Sequence, residues 1–182
     1  MERILYGNPI ADELDNRSKL IFKSFENSND RKPKLTAITV GDNPASLLYV
    51  SRKEQKASEL GVEFNWIKLD RDISQKELDS KVEKASKDSD GIIIQLPLPE
   101  HINLEQAINM IPYNLDVDGL TALNLGNLYS DKYKIIPATS LAILELIKFY
   151  KIDTTDKNIV IAGRSRLVSS PLAKILSSKK YN

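Results

Sequence analysis

A hydroxyl, a phenol and an amine stand at Ser46, Tyr49 and Lys53. Their spacing of i, i+3 and i+7 lets a helix project all three from one face. Arg52 and Lys56 crowd Lys53, and neighbouring cations disfavour its charged form, which suits a residue that takes and returns protons. The same spacing also suits a solvated basic face anchored by a partly buried Tyr49. A different signal lies in Gly91-Ile92-Ile93-Ile94-Gln95-Leu96-Pro97-Leu98-Pro99. A short apolar run that ends in an amide and a doubled Leu-Pro reads as a buried strand of a covered parallel sheet. Ligands of such sheets bind outside the carboxyl ends of the strands, where Gln95 falls. Asp116 and Asp118 flank Val117 on opposite sides of an extended turn closed by Gly119. One of these carboxylates is enough to hydrogen-bond a nitrogen-rich ring. Gly163, followed by Arg164 and Ser165, places backbone donors before a helix that starts near Val168, an arrangement suited to phosphate. Arg164 and Arg166 point to an additional phosphate group on the ligand.

These residues need a framework of alternating strands and helices. Leu35 to Val40 reads as a first strand and Pro44 to Leu60 as a helix, with proline at its start and Gly61 at its end. Val62 to Leu69 reads as a second strand. The helix from Ser74 to Ser86 opens on a capping box of Ser74 and Glu77, and Gly91 to Gln95 forms the third strand. Ahead of these, Ala11 to Phe25 carries Leu14, Ile21, Phe22 and Phe25 at helical spacing, which predicts packing across the sheet. A loop-rich segment from Ile111 to Leu120 and short helical or turn pieces continue to Ile136. Leu141 to Tyr150 is an apolar helix, Lys157 to Ala162 a further strand, and a last helix follows from Val168. The fold class is therefore α/β, a three-layer domain on a mostly parallel sheet followed by the start of a Rossmann-like domain. The expected division is 1–136, a linking segment 137–150, and 151–182 as an incomplete nucleotide-binding domain. Within that last part, Ile159, Ile161, Leu172, Ile175 and Leu176 are expected to lack cover and to favour self-association. A dinucleotide site, and the oxidation it serves, is expected to need neighbouring strands that this segment does not supply.

Composition narrows the chemistry. Of 182 residues, 26 are Lys or Arg and 25 are Asp or Glu, so a net charge of +1 leaves no field for nucleic acid or an anionic membrane. The absence of cysteine excludes disulfides and thiolate chemistry. The single histidine, His101, cannot by itself supply a metal site or a catalytic triad, and its place beside the Leu-Pro turn suits a loop or capping role. No metal is expected. Neither a signal peptide nor an apolar run long enough for a bilayer is visible, which predicts a cytoplasmic protein.

Taken together, these segments resemble the bifunctional methylenetetrahydrofolate dehydrogenase/methenyltetrahydrofolate cyclohydrolase family. The resemblance rests on Val40-Gly41-Asp42-Asn43-Pro44-Ala45-Ser46 with Tyr49-Val50 and Lys53, on Gly91 to Pro99, on Asp116-Val117-Asp118-Gly119, on Pro137-Ala138-Thr139, and on Gly163-Arg164-Ser165 through Val168 and Pro171. These stretches occur in the family's order across nearly the whole chain.

The resemblance implies a folate domain joined to a Rossmann domain. It implies oxidation of 5,10-methylenetetrahydrofolate with NADP, or NAD, and hydrolysis of the methenyl product to 10-formyltetrahydrofolate. Lys53 would be the acid/base residue and Gln95 its hydrogen-bond partner. Tyr49 would stack on the folate, Leu96 and Pro97 would line its site, and Asp118 would bind the pterin. Gly163, Arg164 and Ser165 would hold the cofactor, and two copies would pair through the second domain where that domain is complete. Two departures stand out: Pro137-Ala138-Thr139-Ser140 replaces the family's Pro-Cys-Thr-Pro, and Ser169 replaces a glycine of the dinucleotide loop. Two other readings remain. A short-chain dehydrogenase shares the Tyr49-to-Lys53 pattern, although its glycine loop would precede that pair rather than follow it. The other is a non-catalytic folate-binding remnant.

Overall fold

The computed structural model describes residues 4–178. Its contacts separate two compact units, one of residues Asp15–Val117 and one formed by the chain up to Leu14 together with the chain from Asp118 onward.

The Asp15–Val117 unit is built on a three-stranded parallel sheet in the order β2-β1-β3, with β1 at Lys34–Val40, β2 at Glu63–Leu69 and β3 at Gly91–Ile94. The register pairs Ile38 with both Ile67 and Ile94, and Val40 with Leu69. Side chains alternate along a strand, so Ile38, Val40, Ile92 and Ile94 share one face. They pack there with Leu78, Val82 and Ala85 of α3 (Gln75–Ser86), Ala107 of α4 (Leu104–Asn109), and Ile102 and Ile111. Helix α2 (Pro44–Leu60) lies against β1 and β2 and buries Val50 and Ala57. The result is a layered α/β domain with a small parallel sheet.

Local chemistry sets the ends of these helices. Pro44 opens α2 without a wasted N–H, the Asn43 side chain accepts from the Ser46 N–H, and Gly61 closes the helix in the left-handed region at φ 78°. Helix α3 starts on the expected capping box: Ser74 Oγ accepts from the Glu77 N–H while Glu77 accepts from the Ser74 N–H. His101 takes a loop position, with its Nε2 2.9 Å from the Ile73 carbonyl oxygen. Gly91 is required by crowding, because a Cβ there would stand 2.7 Å from Cγ1 of Val117.

Helix α1 spans Asn8–Asn29, longer than the expected Ala11 to Phe25, and does not bury the predicted stripe. Its only buried residue is Ile10, while Leu20 and Ile21 are 74% and 63% exposed. Charged contacts hold part of it instead: Asp15 accepts from Lys56 at 2.7 Å, and the Arg31 guanidinium just beyond the helix lies 5.0 Å from the Phe25 ring centre. Helical periodicity shows that a face exists, but it does not show what covers it.

Arg31 also grips Asp90 through two hydrogen bonds of 2.7 and 2.8 Å, and Asp90 accepts from the Lys34 N–H at 2.8 Å. The Arg31 guanidinium first, with that N–H, holds the Asp90 carboxyl below its ordinary value despite some desolvation. A carboxylate depressed in the folded state stabilises the fold above its unfolded value, near about 4, and loses that contribution as the pH falls through the folded value. Asp90→Asn is therefore expected to be less stable than the parent at neutral pH, with the difference closing below about pH 4. Urea midpoints of both proteins across that range measure it.

The second unit is helical. Helices α5 (Ala122–Tyr129), α6 (Ala138–Phe149) and α7 (Ser169–Leu176) meet around Leu128, Leu144, Leu172, Ile175 and Leu176. Ser140 Oγ donates to the Val168 carbonyl at 3.0 Å, and Lys174 pairs with Asp131 at 3.0 Å. Two expectations are corrected here. Leu172, Ile175 and Leu176 do not lack cover, because α5 and α6 bury them, and Ile161 packs partly against the same cluster. The predicted strand Lys157 to Ala162 forms no ladder among the described residues, and Ile159 and Val160 are exposed. A strand is completed by its hydrogen-bonded neighbour, and among the described residues none pairs with this segment.

Candidate active site

The site in the Asp15–Val117 unit forms where β3 ends and α2 faces it. Gln95 follows the last residue of β3, and its N–H still donates to the Ile38 carbonyl of β1 at 2.9 Å, which fixes its backbone against the central strand. Lys53 Nζ donates to Gln95 Oε1 at 3.0 Å. The other end of the same amide, Nε2, donates to the Leu96 carbonyl at 3.0 Å, and Ser46 Oγ donates to that carbonyl at 3.2 Å. One carbonyl oxygen accepts both bonds through its two lone pairs. The helix face and the strand end are thereby locked together, and the amide oxygen is turned toward the amine. The Leu96-Pro97 peptide is cis. Tyr49, between Ser46 and Lys53 on the helix, is 55% exposed and presents its ring to solvent.

The chemistry available to Lys53 depends on what it touches. Lys53 meets the neutral amide oxygen of Gln95, an acceptor, and not a carboxylate. Lys56 shows the contrast. It pairs with Asp15 at 2.7 Å and Glu59 at 3.0 Å, and those carboxylates hold its ammonium well above the ordinary lysine value. Of the two cations expected to crowd Lys53, Lys56 has its charge compensated by two carboxylates. The compensating Asp15 lies 41 residues away in sequence, out of reach of a local charge pattern.

The two acids of the Asp116-Val117-Asp118 turn differ in burial. Asp116 is 1% exposed and pairs as an isolated bridge with Ile92 of β3. Asp118 is half-buried, in the second unit, and precedes Gly119, whose φ of 69° and close neighbours Ile135 and Pro137 leave no comfortable place for a side chain. Sequence reasoning missed Asp42 and Arg71, which line a cavity with Val40, Gly41, Asn43 and Pro97 to Pro99. Both sit just past the carboxyl ends of β1 and β2. The strand-end rule that singled out Gln95 also applies to them.

In the second unit the loop Gly163-Arg164-Ser165 leads toward α7. Gly163 has φ 139°, a backbone conformation that side chains rarely adopt, and a Cβ on it would fall 2.6 Å from Ser169 Oγ. Ser165 Oγ accepts from the Leu167 N–H at 3.1 Å, its carbonyl accepts from the Ser170 N–H at 3.0 Å, and Arg164 is exposed. A glycine turn with an adjacent guanidinium, running into a helix N-terminus, suits the phosphates of a dinucleotide, although Ser169 Oγ stands on the Gly163 side of it.

Comparison with known proteins gives the same picture for both segments. Residues 5–118 match the family model "Tetrahydrofolate dehydrogenase/cyclohydrolase, catalytic domain", and residues 137–182 match its "NAD(P)-binding domain". A "Bifunctional protein FolD" of Enterococcus faecalis is 37% identical over 183 residues, covering 98% of this chain and 64% of that protein. A solved 5,10-methylenetetrahydrofolate dehydrogenase from the silkworm Bombyx mori is 37% identical and superposes with a TM-score of 0.93, covering all of this chain and 63% of that one. The Trypanosoma brucei dehydrogenase-cyclohydrolase, solved with NADP and an inhibitor, is 26% identical with a TM-score of 0.91, covering 97% of this chain and 62% of that one. The chain thus spans less than two thirds of the length of these relatives. The paired Lys53 and Gln95, the glycine loop ahead of α7 and both family models lead to one assignment: the chain belongs to the tetrahydrofolate dehydrogenase/cyclohydrolase family.

Proposed function

We propose that this protein acts in one-carbon folate metabolism, oxidising 5,10-methylenetetrahydrofolate and hydrolysing the resulting 5,10-methenyltetrahydrofolate to 10-formyltetrahydrofolate. The observation that carries this reading is the 3.0 Å contact between Lys53 Nζ and Gln95 Oε1 at the carboxyl end of the sheet. In the hydrolytic step the oxygen of a water adds to the methenyl carbon, and the π pair of the C=N bond moves to nitrogen. Lys53 takes the proton that the water sheds. As the bond from that carbon to N5 breaks, Lys53 returns this proton to N5. The electrons of the remaining O–H bond form the formyl C=O, and its proton leaves to solvent. Gln95 keeps the amine in place in both of its charge states. Tyr49 stacks on the folate, Leu96 and Pro97 form the wall beside Gln95, and Asp118 hydrogen-bonds the pterin, a neutral ring system rich in donors.

The oxidative step needs NADP, or NAD, held by Gly163, Arg164 and Ser165; such a dinucleotide supplies a hydride acceptor for the methylene carbon. What these residues contribute is phosphate binding and orientation. Exposed Arg164 favours the additional phosphate of NADP. The proposal extends to a cytoplasmic protein that has small molecules as partners and neither nucleic acid nor membrane, and that pairs as a homodimer through the nucleotide-binding part where that part is complete. In support, the net charge is +1, and among the described residues no helix is long and apolar enough to cross a membrane.

Two assays on the purified protein test the proposal: hydrolysis of methenyltetrahydrofolate, and reduction of NADP with methylenetetrahydrofolate. Hydrolysis is expected, whereas NADP reduction is expected to be lost, because the Lys157 to Ala162 segment has no paired neighbouring strand among the described residues. Folate binding without turnover in either would identify a non-catalytic folate-binding protein instead.

A further inference from the structure

We propose that the cavity between the β1–α2 turn and the Leu-Pro segment is a subsite for the carboxylate-bearing benzoylglutamyl arm of the folate, with Arg71 as its anchor. This inference rests on the folate reading above and extends it to the end of the substrate farthest from the pterin.

The cavity holds about 240 Å³ and is lined by Val40, Gly41, Asp42, Asn43, Arg71 and Pro97 to Pro99. Pockets that take a whole drug-sized ligand run from roughly 300 to 1,000 Å³, so this one suits one arm of a ligand rather than all of it. It adjoins the reaction centre through shared residues. Pro97 follows Leu96, whose carbonyl binds both Ser46 and Gln95. Asn43 caps the helix that carries Ser46, Tyr49 and Lys53. Gln95 is bonded to Ile38, and Val40 at the cavity lies two residues farther along β1, about 7 Å away. The Lys53 side chain leans toward the start of α2, as helical side chains do, and therefore toward this cavity.

The polar groups match that arm. Arg71 is exposed and carries a planar fork of donors, which binds a carboxylate through two bonds. Asp42, which lines the same cavity, accepts hydrogen bonds only. Among the described residues neither side chain has an ion-pair or hydrogen-bond partner, in contrast to Lys34, Lys56 and Arg31 on the same domain. A glutamyl group joined to a benzoyl carbonyl offers an amide N–H for Asp42 and carboxylates for Arg71. Pro97, Leu98 and Pro99 give the cavity an apolar lining for the ring.

The test compares a folate substrate that bears glutamate with the same pterin-benzoyl substrate lacking it, in the unmodified protein, Arg71→Ala and Arg71→Lys. With the glutamyl substrate, Arg71→Ala is expected to raise KM about tenfold, the scale of one charge-assisted contact, while kcat is unchanged. Arg71→Lys should recover part of the loss, because it keeps the charge without the fork. With the substrate lacking glutamate, all three proteins should share one KM. Equal KM changes for both substrates, or no change for either, would overturn the subsite. Failure of the unmodified protein to bind or turn over either substrate would instead overturn the folate reading, and the subsite with it.

Discussion

Lys53→Met should lower the rate of methenyltetrahydrofolate hydrolysis by about 10²- to 10⁴-fold, the range for removing a general acid/base. Methionine keeps the length and apolar stem of the side chain and deletes the amine that Gln95 accepts from at 3.0 Å. Stability should hardly move, because Lys53 is half-buried and has no carboxylate partner among the described residues, so the replacement leaves no buried charge behind. A shift within about 0.5 kcal/mol is expected, as for most substitutions outside a core or an ionic network. Thermal melts separate the two effects. A large rate loss with an unchanged melt places Lys53 in the chemistry, and a near-native rate would remove it.

Leu78→Ala should do the reverse. Leu78 is fully buried on α3 and packs among Ile38, Ile92 and Ile94 on the face of the sheet that α3 and α4 cover. Truncating it removes apolar contact and leaves a cavity that its neighbours close only partly, at a cost of about 2–5 kcal/mol. That is a large part of the roughly 5–15 kcal/mol by which domains are stable. Denaturant titration should show a lower midpoint at an unchanged slope. The fraction that remains folded should keep the parent kcat, because Leu78 contributes no group to the hydrogen bonds that join Lys53, Gln95 and Leu96.

The features readable in the sequence were those decided by local chemistry. Pro44 and Gly61 mark both ends of α2, and Ser74 with Glu77 fixes the start of α3, because each acts on backbone groups within a turn. Gln95 was readable because breakers on both sides mark where β3 stops. Partners distant in sequence were not readable. Asp15 compensates Lys56 across 41 residues, Asp90 holds Arg31 across 59, and α7 finds its cover on α5 and α6. Lys157 to Ala162 has the composition of a strand, but composition cannot supply a neighbour. The exposed face of α1 is the same problem in helical form.

The central claim is that Lys53 and Gln95 work as one unit in proton transfer, and a double-mutant cycle on hydrolysis tests it most directly. The rates to measure are those of the parent, Lys53→Met, Gln95→Ala and the double variant. If Gln95 acts only by holding the Lys53 amine, Gln95→Ala alone should slow the reaction, and adding it to Lys53→Met should cost almost nothing further. If the two losses multiply in the double variant, Gln95 acts independently of Lys53, and the account of a coupled pair is wrong.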